Sequence, residues 1–209
     1  MSALRTELEE LVAIARSMFN RGYSFGTAGN ISIRSGETVY ATPTGSSFGT
    51  LTADALAACD LEGKPLNPQR PTKELPFHLA AYRARTEARA VVHLHSTYAT
   101  ALASIQGLDE SNALPPITAY FAMRVPSLPC VPYLPPGDAG LATEVERLAK
   151  NTPAMLMRNH GSIAIGKSLV EAAALAEELE ETARLYFLLG DRVHPLTAEQ
   201  TAELRRRFA

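Results

Sequence analysis

The sequence predicts an α/β chain. Five short apolar runs, ISIR, TVYAT, ARAVVHLH, MLMR and SIAIG, have the length and character of β-strands. Between them lie segments whose apolar residues recur every three to four positions, the helical period. The size fits as well. The 209 residues, 46% hydrophobic and 20% charged, suit one globular domain, 1–209, with a sizeable core.

Residues 2 to 20 place Leu4, Leu8, Leu11, Ala15 and Phe19 on one helical face, and Gly22 is a C-terminal stop. ISIR and TVYAT follow as strands. Residues 51 to 66 are expected to form a short helix and then a hairpin at Glu62-Gly63. RPTKELPFH opens a helix with Thr72 as N-cap and Pro76 in the first turn. After the strand ARAVVHLH, the segment STYATALASIQ is helical. Residues 115 to 136 hold seven of the fourteen prolines, which predicts an irregular loop with no helix or central strand. Residues 139 to 150 are helical. MLMR and SIAIG are strands, and Ser168 to Glu171 is a capping box. The helix it opens runs through Leu189, with Leu175, Leu179, Ala183 and Tyr186 on one face. The arginines 205 to 207 read as a solvated tail, with reach to a neighbouring subunit's site as the alternative.

Composition narrows the function. A net charge of −2 argues against broad nucleic-acid binding. The apolar runs are too short and interrupted to span a bilayer. MSALRTELEELVAIA is acidic and amphipathic, without the layout of a signal peptide. Cys59 and Cys130 are far apart in the sequence and lack a metal-type spacing, which suits reduced thiols in the cytoplasm.

Chemistry concentrates in ELPFHLAAYRARTEARAVVHLH and in MLMRNHG. On a strand, His93 and His95 project from the same face, so two imidazoles can grip one metal ion. A third ligand must come from elsewhere, and His160 ends the other apolar run. Three histidines with an open position describe a catalytic rather than a structural zinc site. An H-x-H pattern fits two hydrogen-bonded core histidines equally well, and spacing alone does not choose. His78, on the Glu74 helix, reads as a packed or surface residue, and His194 carries no role.

Three segments could receive an anion. GTAGN (26–30) and PTGSS (43–47) are rich in glycine and hydroxyls, although each also reads as a plain turn. Thr72 and Lys73 sit at a helix N-terminus. Glu74 beside them, taken alone, reads as a first-turn acid complementing the helix dipole. Arg124 is a lesser candidate for a substrate carboxylate.

Taken in order, GTAGN, TPTG (42–45), Glu74, the H-x-H pair and the His-Gly at 160–161 resemble the class II aldolase family. That family includes fuculose-phosphate aldolases, ribulose-phosphate 4-epimerases and adducin heads. The resemblance spans roughly residues 5 to 190. Further segments, TPTGSSFG, PTKELPFH, VVHLHST, LPPITAYFAMR, VPYLPPGD and EELEETARL, resemble its 3-oxo-tetronate 4-phosphate decarboxylases. The resemblance implies a three-layer α/β fold, a central and mainly antiparallel sheet flanked by helices. It also implies a homotetramer with active sites between subunits.

Residue by residue, it implies His93, His95 and His160 as ligands of Zn2+, with Mn2+ or Co2+ as other candidates. Glu74 becomes the general acid/base and a further metal ligand. Thr27, Asn30, Thr44, Gly45, Thr72 and Lys73 become phosphate contacts. Aldolase members carry two serines where this chain has Thr72-Lys73, and a lysine suits a dianion. Tyr120 falls near a tyrosine that acts on the neighbouring subunit's substrate.

The implied substrate is a sugar acid phosphate, a β-keto acid. The implied reaction is loss of CO2 through a metal-stabilised enediolate, giving dihydroxyacetone phosphate. Aldol cleavage or 4-epimerisation on the same site is the alternative. A non-catalytic adducin-like module is a remote one, since it would be expected to lack the ligands that are present here.

Overall fold

A computed structural model of the chain describes residues 3–208. Among these, seven strands form one sheet: β1 (Asn30–Ser35), β2 (Thr38–Ala41), β3 (Ala57–Cys59), β4 (Ala90–Leu94), β5 (Cys130–Val131), β6 (Ala154–Met157) and β7 (Gly161–Gly166). Their order is β3-β2-β1-β4-β7-β6-β5. Every neighbouring pair is antiparallel except β5 with β6. The helices are α1 (Ala3–Asn20), α2 (Leu75–Ala84), α3 (Thr97–Ala103), α4 (Ala119–Arg124), α5 (Ala139–Ala149), α6 (Leu169–Leu189) and α7 (Ala198–Phe208).

Strand alternation sorts β4 between two cores. Ala90, Val92 and Leu94 join the core that α1, α3 and α6 cover. Val91 joins the other core, under α2 and α5. Helices therefore cover both faces, giving the expected three layers. A strand buried on both sides needs apolar residues in succession, which is why ARAVVHLH is a run rather than an alternation. Full burial of Val92 and Leu94 contributes roughly 1.5–3 kcal/mol each. His93 shares the facing of Val91, so it points towards α2.

Several expectations are corrected. Ser2, the expected start of the first helix, lies outside the described residues. The expected helix after residue 50 is a single 3-10 turn, Ala53–Ala55, followed by β3. The hairpin at Glu62-Gly63 is present: Gly63 has φ +85°, and Leu66 N donates to Ala58 O over 2.8 Å. Thr72 is not the N-cap of α2. Glu74 occupies that position, and Thr72 Oγ1 accepts from its backbone N–H at 3.2 Å. The proline-rich stretch contains α4 and edge strand β5, because its prolines flank these elements instead of filling them. Thr118 caps α4 by accepting from Phe121 N at 3.1 Å. The helix expected in STYATALASIQ ends at Ala103.

The arginine run is not a tail. It lies on α7, and the Arg205 guanidinium donates to the carbonyls of Ala122, Val125 and Pro126. A cation thereby satisfies carbonyls that the end of α4 leaves without helical partners.

Candidate metal centre

Glu74, His93, His95 and His160 converge, with one ligand atom from each lying within 4.8 Å of the others. Four parts of the fold deliver them. Glu74 caps α2, His93 lies in β4, His95 follows its end, and His160 closes the β6–β7 turn. Asn159 in that turn adopts φ +55°. The rings of His95 and His160 are edge-on with centroids 4.7 Å apart, and those of His93 and His160 are 5.0 Å apart.

Two glycines let backbone approach the histidines. A Cβ on Gly29 would stand 2.8 Å from the carbonyl oxygen of His93. A Cβ on Gly161 would stand 2.2 Å from that of Leu94. Any other residue at either position would force the neighbouring strand away from β4.

The hydrogen bonds fix the chemistry of the cluster. His93 is completely buried, and its Nδ1 lies 2.8 Å from the Ser162 carbonyl oxygen. A carbonyl only accepts, so His93 carries its proton on Nδ1 and turns the Nε2 lone pair inward. Glu74 Oε2, also an acceptor, lies 3.3 Å from that Nε2. Glu74 Oε1 lies 3.1 Å from His160 Nε2, and His95 Nε2 lies 2.8 Å from His93 Nε2. Inward-facing acceptors of this kind suit a cation, so the donor set fits a divalent metal.

Electrostatics agree. Burial pushes the Glu74 carboxyl up, but the neighbouring His93 and the contacts with His160 and Asn30 outweigh it and hold the acid well below the usual carboxylate range. Burial pushes His93 down to about 3 against the opposing pull of Glu74, and it lowers His95 too. At neutral pH the site offers the Glu74 carboxylate and, at His93 and His95, neutral imidazoles, the forms that bind a metal.

The expected anion segments lie together beside Glu74. Thr42 joins β1 through its backbone N–H to Ile31 O at 3.0 Å. Thr44 N donates to Arg70 O at 3.1 Å and Thr72 N to Thr42 O at 3.0 Å, so the loops carrying Thr44-Gly45 and Thr72-Lys73 run side by side. Thr27 is exposed in the turn before β1. Asn30 is 5% exposed, and both ends of its amide are engaged: Nδ2 donates to Glu74 Oε2 over 2.7 Å, and Oδ1 meets His78.

Two residues fall outside the cluster. Tyr120 is 64% exposed on α4, and its side chain makes no hydrogen bond among the described residues. Arg124 lines a cavity with Ile165, Gly166 and Lys167. Five residues at about 3.3 Å each separate Gly166 from Gly161, so Arg124 sits roughly 17 Å away, at the opposite end of β7. Within one chain it is not placed to hold a substrate carboxylate at this site.

Sequence reasoning passed over Glu180. Its carboxylate, 6% exposed on α6, accepts from Tyr98 N at 2.9 Å and Ala99 N at 2.7 Å. It thus caps α3 directly after His95, in place of Ser96, whose buried Oγ has no partner among the described residues.

An α/β sheet presenting three histidines and a glutamate at a strand end defines a cluster that could hold a metal ion. The chain belongs to the Class II Aldolase and Adducin N-terminal domain family, whose model matches residues 9–187. It is 49% identical over 199 residues to the 3-oxo-tetronate 4-phosphate decarboxylase of Escherichia coli strain K12, covering 94% of each chain. The crystal structure of YgbL from Escherichia coli superposes with a TM-score of 0.95 at 46% identity, covering 98% of this chain and 100% of that one. L-fuculose 1-phosphate aldolase superposes with a TM-score of 0.89 at 25% identity, covering 100% and 97%.

Proposed function

We infer that this chain is a metal-dependent carboxy-lyase that converts a 3-oxo-tetronate 4-phosphate to dihydroxyacetone phosphate and CO2. The observation that carries the reading is the 49% identity, over nearly the full length, to a decarboxylase of that name, in a chain whose own Glu74 and three histidines converge.

The substrate dictates what the residues must do. It is a β-keto acid, so breaking the C1–C2 bond releases CO2 and sends the electron pair towards the C3 oxygen as an enediolate. A divalent cation held by His93, His95 and His160, with Glu74 alongside, would supply Lewis-acid stabilisation of that charge. Glu74, ionised at rest, relays a proton from water to C2, completing dihydroxyacetone phosphate. Its Oε2 accepts from Asn30, and Oε1 lies 3.1 Å from His160 Nε2; with His160 turned to the cation, Oε1 would be the oxygen left to move the proton. Thr27, Thr44, Gly45, Thr72 and Lys73, with the second amide hydrogen of Asn30, hold the phosphate. Anchoring that remote end orients the reacting carbon.

Zinc is the proposed ion, supported by the imidazole-rich donor set, with Mn2+ and Co2+ as the competitors that metal analysis separates. The proposed assembly is a cytoplasmic homotetramer with sites between subunits. Exposed Phe25, Tyr120, Tyr133 and Leu188 support burial against further copies, and free, buried Cys59 and Cys130 support a reducing compartment. Among the described residues, no helix is long and apolar enough to cross a membrane.

The same proton chemistry serves aldol cleavage, and the similarity to L-fuculose 1-phosphate aldolase supports that second reading. A product test separates them. Incubation with the two stereoisomers of the 3-oxo acid phosphate in turn should release CO2 from one of them. Aldehyde from a sugar phosphate, with no CO2 from the keto acids, would select the aldolase.

A further inference from the structure

Five side chains form one hydrogen-bonded line through the interior, ending on Glu74. Tyr82 Oη lies 2.8 Å from Ser32 Oγ, and Ser32 Oγ lies 2.8 Å from His78 Nδ1. His78 Nε2 meets Asn30 Oδ1, and Asn30 Nδ2 reaches Glu74 Oε2 at 2.7 Å. Tyr82, Ser32, His78 and Asn30 are all buried.

The carboxylate sets the direction of every bond. It only accepts, so Asn30 must turn its NH2 towards Glu74. The Asn30 carbonyl then faces His78, so His78 Nε2 must carry a proton. In neutral imidazole Nδ1 is then a lone pair, and Ser32 must donate to it. The Ser32 oxygen finally accepts from the Tyr82 hydroxyl. A charged His78 would reverse the last two bonds. Burial opposes that charge and pushes His78 down to about 4, despite the pull of Glu74.

An asparagine amide has two faces of opposite polarity and can rotate by half a turn. The carboxylate favours one of these two orientations, and a donor held against Oδ1 restrains the amide in it. We propose that His78 is a positioning residue for Glu74: as the Nε2–H tautomer it locks the Asn30 amide, which pins Oε2 and leaves Oε1 as the working oxygen. Without His78 the Asn30 amide is held by Glu74 alone, and the acid is positioned less tightly. The effect on turnover rests on the reading of Glu74 as the proton carrier; the tautomer does not.

Two measurements test it. The first is nitrogen-15 NMR of the histidine rings in the metal-free wild-type protein, with the His78 signals assigned by loss in His78→Phe or, if that variant does not fold, by through-bond correlation. An Nε2–H tautomer at neutral pH is expected. An Nδ1–H tautomer or an imidazolium would overturn the proposal. The second compares His78→Phe with His78→Gln, whose side-chain amide can still donate to Asn30. His78→Phe should lower kcat about 10- to 100-fold, with KM within about threefold and the metal content of wild type. His78→Gln should recover most of that loss. Unchanged kcat in His78→Phe, equal losses in both variants, or parallel loss of metal would each reject positioning. Absence of decarboxylation by the wild type would remove the proposed reaction, while the tautomer measurement would still decide the hydrogen-bonded line.

Discussion

His93 and Ser162 lie on adjacent strands, and the imidazole Nδ1 of the first donates to the backbone carbonyl of the second over 2.8 Å. That bond fixes the tautomer of a buried histidine through the sheet itself. The candidate ligand atom Nε2 is then presented by secondary structure rather than by a flexible loop, and removal of metal should leave the fold intact.

His95→Ala tests this separation. His95 is half-buried and follows β4, so its loss removes a ligand without opening the core. Metal content should fall and activity should drop at least about 100-fold, with an unchanged circular dichroism spectrum. Full turnover in the variant would remove His95 from the mechanism.

Glu74→Gln replaces the acid with an amide of the same shape. The three histidines remain, so metal should stay bound, more weakly, while kcat falls by about 10²–10⁴. An unchanged rate would reassign the proton carrier.

Gly161→Ala probes the close approach of β7 to β4. The added Cβ would stand 2.2 Å from the Leu94 carbonyl oxygen, a backbone atom that cannot move aside alone. A loss of about 1–3 kcal/mol in urea unfolding is expected, with weaker metal binding because His93 and His160 flank the strained position. Wild-type stability would show that the strands are not held this tightly.

Acid should destabilise the metal-free protein in a defined window. The folded-state value of His78 is about 4 against an ordinary 6.5, so between these pH values the unfolded chain binds a proton that the folded chain does not. The contribution is fully present above pH 6.5, erodes as pH falls, and is lost below about 4. Its size is about 3 kcal/mol. His93 and Glu74, also lowered, extend the loss to lower pH. Urea unfolding across this range should show the slope, and His78→Phe should flatten it. A stability independent of pH would contradict the burial of a neutral His78.

The central strands were legible because burial on both faces writes an apolar run into β4, β6 and β7. Helices α1, α5 and α6 were legible from their period. Helix α7 was not: it is polar on most of its surface and is anchored by Arg205 to carbonyls 79 to 83 residues away. Helix α4 hid between prolines. The four-residue cluster was readable as motifs in order, but its supporting line was not. Glu74, His78 and Tyr82 repeat at every fourth position on α2, and Asn30 and Ser32 alternate on β1, so each half carried a signal. What joins them is a pairing across 44 to 50 residues, which no local pattern encodes.

The most direct measurement follows the fate of a carbon-13 label in the carboxyl group of each 3-oxo-tetronate 4-phosphate stereoisomer, with metal-loaded enzyme and with chelator-stripped enzyme. One stereoisomer should yield labelled CO2 and dihydroxyacetone phosphate in equal amounts, only when metal is restored. Label retained in the acid by the loaded enzyme, or CO2 released as fast after stripping, would contradict the account.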